Sequence, residues 1–166
     1  MRKLWVILIG LVVLAVVNYS IYSREMLVTK GDSVILQLAP VDPRSLMQGD
    51  YMALRFAVAS EAQDQILSSK QINGFVILKP DEKGVGRFVR LDDLSALNNG
   101  EVRMRYRLRK GQVKFATNAF FFQEGQAKLF EAARFGEFRV NKGGDSVLVE
   151  MRDENLQRIG ERSLVE

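Results

Sequence analysis

Val102-Arg103-Met104-Arg105-Tyr106-Arg107-Leu108-Arg109 alternates apolar and basic side chains without interruption. Successive side chains on a β-strand point to opposite faces, so this stretch reads as a strand. Val102, Met104, Tyr106 and Leu108 then face a core, and Arg103, Arg105, Arg107 and Arg109 line the other side. One buried and one wetted face is the signature of an antiparallel sheet. Lys110-Gly111-Gln112 turns the chain into a second arm, Val113-Lys114-Phe115-Ala116.

The same pattern spreads outward. Residues 33–39 (SVILQLA) read as a first strand, ended by Pro40 and Pro43, and residues 50–58 (DYMALRFAV) as a second. Residues 61–70 are polar, with Ile66 and Leu67 suggesting a short helix or a loop. Residues 74–78 and 87–91 read as strands separated by a turn at Pro80-Asp81-Glu82-Lys83-Gly84. Residues 124–134 read as a helix, with Ala127, Phe130 and Ala133 or Arg134 on neighbouring turns. Residues 137–140 and 146–151 make a final hairpin around Asn141-Lys142-Gly143-Gly144. No internal repeat, low-complexity tract or second boundary interrupts this region. The expected fold is α+β and β-rich: a mainly antiparallel domain, residues 24–166, with one or two short helices.

In front of it, residues 1–23 read as a membrane segment. Arg2 and Lys3 lead an apolar run from Leu4 to Val17, followed by the softer Asn18-Tyr19-Ser20-Ile21-Tyr22. Counted to Tyr22 the run is roughly 19 residues, about 28 Å of helix, enough to reach across a bilayer's hydrocarbon core. A cleavable signal peptide is the alternative, but the small residues around 19–23 are paired with large neighbours where a signal peptidase needs small ones. An uncleaved signal anchor is therefore expected. The basic start keeps the amino terminus in the cytoplasm and exports the domain, which in a Gram-negative cell means the periplasm. Trp5 at one end and Tyr19 and Tyr22 at the other suit the lipid–water boundary.

Composition narrows the chemistry. The chain has neither cysteine nor histidine. No disulfide framework supports the exported domain, and the commonest general base and metal ligand is missing. With Arg2 and Lys3 set aside, 22 basic residues face 20 acidic ones, without the strong positive excess of a nucleic-acid binder. No metal site, cofactor or small-molecule substrate is expected.

Three features carry chemical information. The arginine stripe could hold phosphate headgroups or an acidic partner, since guanidinium binds such groups bidentately. A solvated sheet face neutralised by nearby acids is the simpler reading. Phe120-Phe121-Phe122 cannot all face one core from a strand, so at least one ring should point elsewhere. The segment is either buried on both sides or a docking surface. Residues 42–56 (DPRSLMQGDYMALRF) form a turn feeding a strand, with Pro43 fixing φ, Gly49 permitting close approach and Asp50 able to bond neighbouring amides.

That last segment resembles the GDYXXLXY family, with Gly49, Asp50, Tyr51 and Leu54 in place and Phe56 where the motif ends in tyrosine. The loss of that hydroxyl removes any hydrogen bond it made and keeps the ring. The resemblance extends through residues 118–125 and 133–140, nearly the whole exported domain. It implies a bacterial membrane-anchored protein, often encoded beside multi-spanning membrane proteins, and so a multi-spanning inner-membrane protein as partner and no reaction. A fainter similarity links Leu46-Met47-Gln48-Gly49-Asp50 and the aromatic segment with Ala133-Arg134-Phe135-Gly136 to type I signal peptidases. Superposing the Leu-x-x-Gly-Asp segments puts Val41 where their serine stands, and no lysine falls where their base belongs.

The expected function is a non-catalytic binding or accessory module. Its candidate residues are Asp42, Pro43, Arg44, Gly49, Asp50, Tyr51, Leu54, Phe56, Phe120, Phe121, Phe122, Glu124 and Arg134, with the basic stripe beside them. The alternatives are a serine–lysine hydrolase using Ser45 with Lys70 or Lys79, and a purely structural turn in which Asp42, Arg44 and Asp50 form a salt-bridged cluster. Glu124 and Glu131, seven apart on the expected helix, read as solvated acids.

Overall fold

The computed structural model describes residues 2–39, 51–117 and 119–160, with side chains from Trp5 onward. A long helix, α1 (Arg2–Lys30), leads into β1 (Asp32–Gln37) and β2 (Tyr51–Ala53). After α2 (Ala57–Ser69) come β3 (Asn73–Pro80), β4 (Gly86–Leu91), β5 (Val102–Arg109), β6 (Gln112–Lys114) and β7 (Ala119–Phe121). A single turn of helix, α3 (Ala127–Phe130), precedes β8 (Phe135–Val140), β9 (Ser146–Arg152) and β10 (Arg158–Ile159). The strands form sheets ordered β1-β8-β9-β10, β4-β3-β5-β6 and β2-β7, and every pairing between these strands is antiparallel. The fold is α+β and β-rich, as the sequence reads.

β5 occupies the residues its alternation marks out. Its register against β3 sets Met104 opposite Val76 and Tyr106 opposite Gly74. Glycine is needed there, because a Cβ at position 74 would lie 2.8 Å from the Tyr106 hydroxyl. Met104, Tyr106 and Val76 join Val34 and Leu36 of β1, Phe138 and Val140 of β8 and Met151 of β9 in one core. Each of these large side chains contributes about 1.5–3 kcal/mol by leaving water. The two four-stranded sheets are curved halves around that core. Ile35 bridges Val85 on one side, and on the other the Arg105 amide donates to the Gly144 carbonyl at 2.8 Å.

Two elements depart from the expected pattern. The strand expected over 50–58 stops at Ala53 and the chain enters α2 at Ala57. Val58, Ala62 and Ile66 recur at four-residue spacing on α2 and all are buried, so helical periodicity prevails over the apolar run. The helix expected over 124–134 shrinks to Ala127–Phe130. Gly125 sits at φ +84°, outside helical backbone, and by Arg134 the amide already donates to the Arg152 carbonyl at 2.9 Å. Glu124 and Glu131 therefore share no helix face.

From Trp5 to Val17 α1 is apolar on all sides, and its side chains from Trp5 to Glu25 are exposed. Over Trp5–Lys30 it is long and apolar enough to cross a membrane, its most apolar 18-residue stretch reaching a mean hydropathy of 2.2. Such an exposed apolar surface is consistent with a membrane anchor. The helix does not end with its apolar run: it continues past Ser23 to Lys30. Leu27 is buried, the Gly31 amide donates to the Leu27 carbonyl at 3.1 Å, and Arg139 Nη1 donates to the Gly31 carbonyl at 3.4 Å. Only Gly31 separates the helix from β1, so the domain sits directly on its end.

Candidate docking surface at the foot of the anchor

β2 and β7 bring the two motifs of the sequence together. Tyr51 pairs with Phe121, Met52 with Phe120 and Ala53 with Ala119. Strand alternation turns Met52 into the core, while the Phe121 ring stands outward, 74% exposed. The Tyr51 and Phe121 rings lie 5.8 Å apart and tilted by 41°. Phe120 and Phe122 grip Phe130 of α3 at 4.9 and 5.3 Å. The triple phenylalanine is thus divided, with two rings fastening the segment and one presented to the outside.

The later half of the motif is core. Leu54 and Phe56 are 6% and 3% exposed, and the Phe56 ring packs edge-on against Phe138 at 5.2 Å and Phe115 at 6.3 Å. Gly136 gives that ring its room, since a Cβ there would lie 3.4 Å from Phe56 and 2.9 Å from Leu148. Asp42, Pro43, Arg44, Ser45, Gly49 and Asp50 lie outside the described residues. Lys70 caps α2 and Lys79 lies exposed on β3. Glu124 is exposed in the turn before α3. Arg134 is also exposed and closes its own loop, with Nη1 donating to the carbonyls of Glu131 and Ala133 at 2.9 and 2.8 Å.

The arginine stripe stands on the outer face of β5 as its spacing requires, and it is half neutralised. Arg103 Nε lies 2.8 Å from Asp92 and Arg105 Nη2 lies 3.2 Å from Asp145, with both guanidinium groups over the Phe75 ring. Arg107 and Arg109 make no ion pair among the described residues.

Sequence reasoning missed a charged cluster on the outer face of β8 and β9. Glu137 is 5% exposed. Its Oε1 accepts from the Ser33 hydroxyl at 2.6 Å and its Oε2 from Arg152 Nε at 2.9 Å. Arg152 also bonds Glu150 at 2.6 Å and the Leu156 carbonyl at 2.7 Å, and Arg158 Nε lies 3.2 Å from Glu150. Burial pushes the Glu137 carboxyl up, but the Ser33 hydroxyl and the Arg152 guanidinium outweigh it and hold it below the usual carboxylate range. The available signal was the run 135–140, where one carboxylate sits among residues that pair with β1 on one side and β9 on the other.

Cluster and aromatic segment line one groove of about 1000 Å³ that begins at Val28, on the last turns of α1, and includes Phe120, Phe121 and Phe122. Its walls combine exposed aromatic surface with charged side chains that, among the described residues, are already paired to one another. A family model described as GDYXXLXY protein matches residues 13–151. No curated protein and no solved structure matches the chain.

Proposed function

The chain belongs to the GDYXXLXY family, and from that premise we propose that it is a signal-anchored envelope protein serving as a non-catalytic accessory module of a multi-spanning inner-membrane protein. Arg2 and Lys3 hold the amino terminus of α1 in the cytoplasm, and the β-rich domain stands on the outer, periplasmic side. The observation that carries this reading is the place of the Tyr51–Phe121 ledge: it opens on a groove that starts at Val28, at the foot of the anchor. A domain joined by one residue to a helix that runs only about two turns past its apolar stretch keeps that ledge close to the bilayer, within reach of the loops of a neighbouring membrane protein. Large rigid rings flanked by satisfied polar groups are the usual anchors of such contacts.

The test is co-purification from detergent-solubilised membranes. Truncating an interface anchor commonly costs about 2 kcal/mol or more, so Phe121→Ala is expected to reduce the recovered membrane-protein partner by about thirtyfold. Folding should be nearly unaffected, since the ring is mostly outside the core. A Gly49/Asp50 double variant reports on the turn ahead of β2. If both variants recover the same membrane proteins as the unaltered chain, the ledge and its turn are not the docking surface.

A further inference from the structure

We propose that the crevice between α1 and β5 is a headgroup site for an anionic phospholipid. A cavity of about 720 Å³ lies on another side of the anchor's end, lined by Val16, Tyr19, Ser20, Ser23, Arg24 and Leu27 of α1 and by Arg105, Arg107, Arg109 and Lys114 of β5 and β6. Five cations thus face one space. The acidic residue in its lining, Asp145, is taken up by Arg105 at 3.2 Å. Arg24, Arg107, Arg109 and Lys114 have no ion pair among the described residues, so the crevice holds strong uncompensated positive charge.

Its position selects the occupant. Val16 belongs to the apolar run, Tyr19 to the boundary segment, and Ser23 and Arg24 to the first polar turn beyond it. The cavity therefore spans the level at which a span leaves hydrocarbon for headgroups, where aromatic and basic side chains gather. A phosphodiester placed there would meet guanidinium groups able to bind it bidentately, while its acyl chains lie along the apolar flank of α1 below Val16. A soluble phosphate gains the first interaction and none of the second, which favours the lipid as source. This site does not depend on the partner proposed above, since it uses a different face of the domain.

The probes are short-chain phosphatidylglycerol, phosphatidylcholine of equal chain length, and inorganic phosphate. Each is titrated into the full-length chain in neutral detergent, with bound lipid read by native mass spectrometry. The variant Arg107→Gln/Arg109→Gln/Lys114→Gln removes two exposed charges and one half-buried one, none of them in an ion pair among the described residues. A control, Lys79→Gln/Lys83→Gln/Lys128→Gln, removes the same charge from exposed positions outside the crevice. The expected result is phosphatidylglycerol binding weakened about a hundredfold in the first variant and little in the control, with phosphatidylcholine weak throughout. Equal losses in both variants, or unchanged binding in the first, would overturn the site. So would inorganic phosphate competing at the concentrations where phosphatidylglycerol binds, which would make the ligand a free anion. Loss of a co-purifying acidic protein from the first variant, with phosphatidylglycerol binding intact, would replace the lipid with a protein.

Discussion

Arg152→Ala is expected to destabilise the domain by about 3–5 kcal/mol at neutral pH, among the largest effects of any single surface-facing side chain. The loss comes from what is left behind. Glu137 is buried, and without the guanidinium on its Oε2 its remaining partners are the Ser33 hydroxyl, the more distant Arg139, 3.6 Å away, and the neighbouring Glu150, which offers no positive charge. A buried carboxylate so stripped must desolvate without recompense or take up a proton. Chemical denaturation of both proteins gives the difference directly, and Glu137→Gln in the Arg152→Ala background should recover part of it by removing the orphaned charge. The pH dependence has a definite sign. A carboxyl held below its unfolded value stabilises the fold fully above the unfolded pKa, about 4.3 for glutamate, and loses that contribution as pH falls through the folded value. The gap between Arg152→Ala and the unaltered chain should therefore be widest near neutrality and close in acid. A gap independent of pH would assign the effect to packing.

Phe56→Ala should cost a comparable amount, about 3–5 kcal/mol, the usual range for removing a fully buried phenylalanine. For a domain of this size that lowers the melting temperature by roughly 10 °C. The ring is clasped by Phe138 and Phe115 and stands at the start of α2, so its loss opens a cavity where both sheets and the helix converge. The contrast with Phe121→Ala is the informative part. Both positions lie in segments that mark the family, yet below its lowered melting temperature the Phe56→Ala domain should still hold its partner, whereas Phe121→Ala should release the partner from a domain of nearly unchanged stability. Equal thermal shifts for the two would refute this division of the motif between core and surface.

Much of this architecture is legible in the chain. β5 could be read residue by residue because strict alternation has no helical interpretation, and the long apolar helix because nothing else in the sequence is as long and apolar. That one ring among residues 120–122 turns to the other side followed from strand geometry, whereas its exposure, against burial on both sides, is visible only in the fold. Other features were hidden for identifiable reasons. Ala57 and Val58 read as the end of a strand because Tyr51 to Val58 is mostly apolar, and only the buried spacing of Val58, Ala62 and Ile66 shows that the period has changed. The helix expected near Glu124 was cut short by Gly125 and by the pairing of Arg134 with Arg152, a long-range hydrogen bond that no local pattern announces. Glu137 was read only as part of a hairpin strand; its burial depends on β1, on β9 and on the end of α1 passing nearby. The same is true of the crevice over β5. Its arginines were plain in the sequence, whereas the helix that makes a site of them lies some eighty residues earlier, a separation that only the fold closes.

The Tyr51–Phe121 ledge should meet a membrane protein outside the cytoplasm. The most direct measurement places a photoreactive phenylalanine at position 121, and separately at Leu94, an 82% exposed side chain away from both cavities. Both chains are illuminated in intact cells, and the adducts are digested and identified. The expected result is an adduct from position 121 to an extracytoplasmic loop of a multi-spanning membrane protein, with none from position 94. No adduct at position 121, adducts confined to cytoplasmic segments, or the same products from both positions would contradict it.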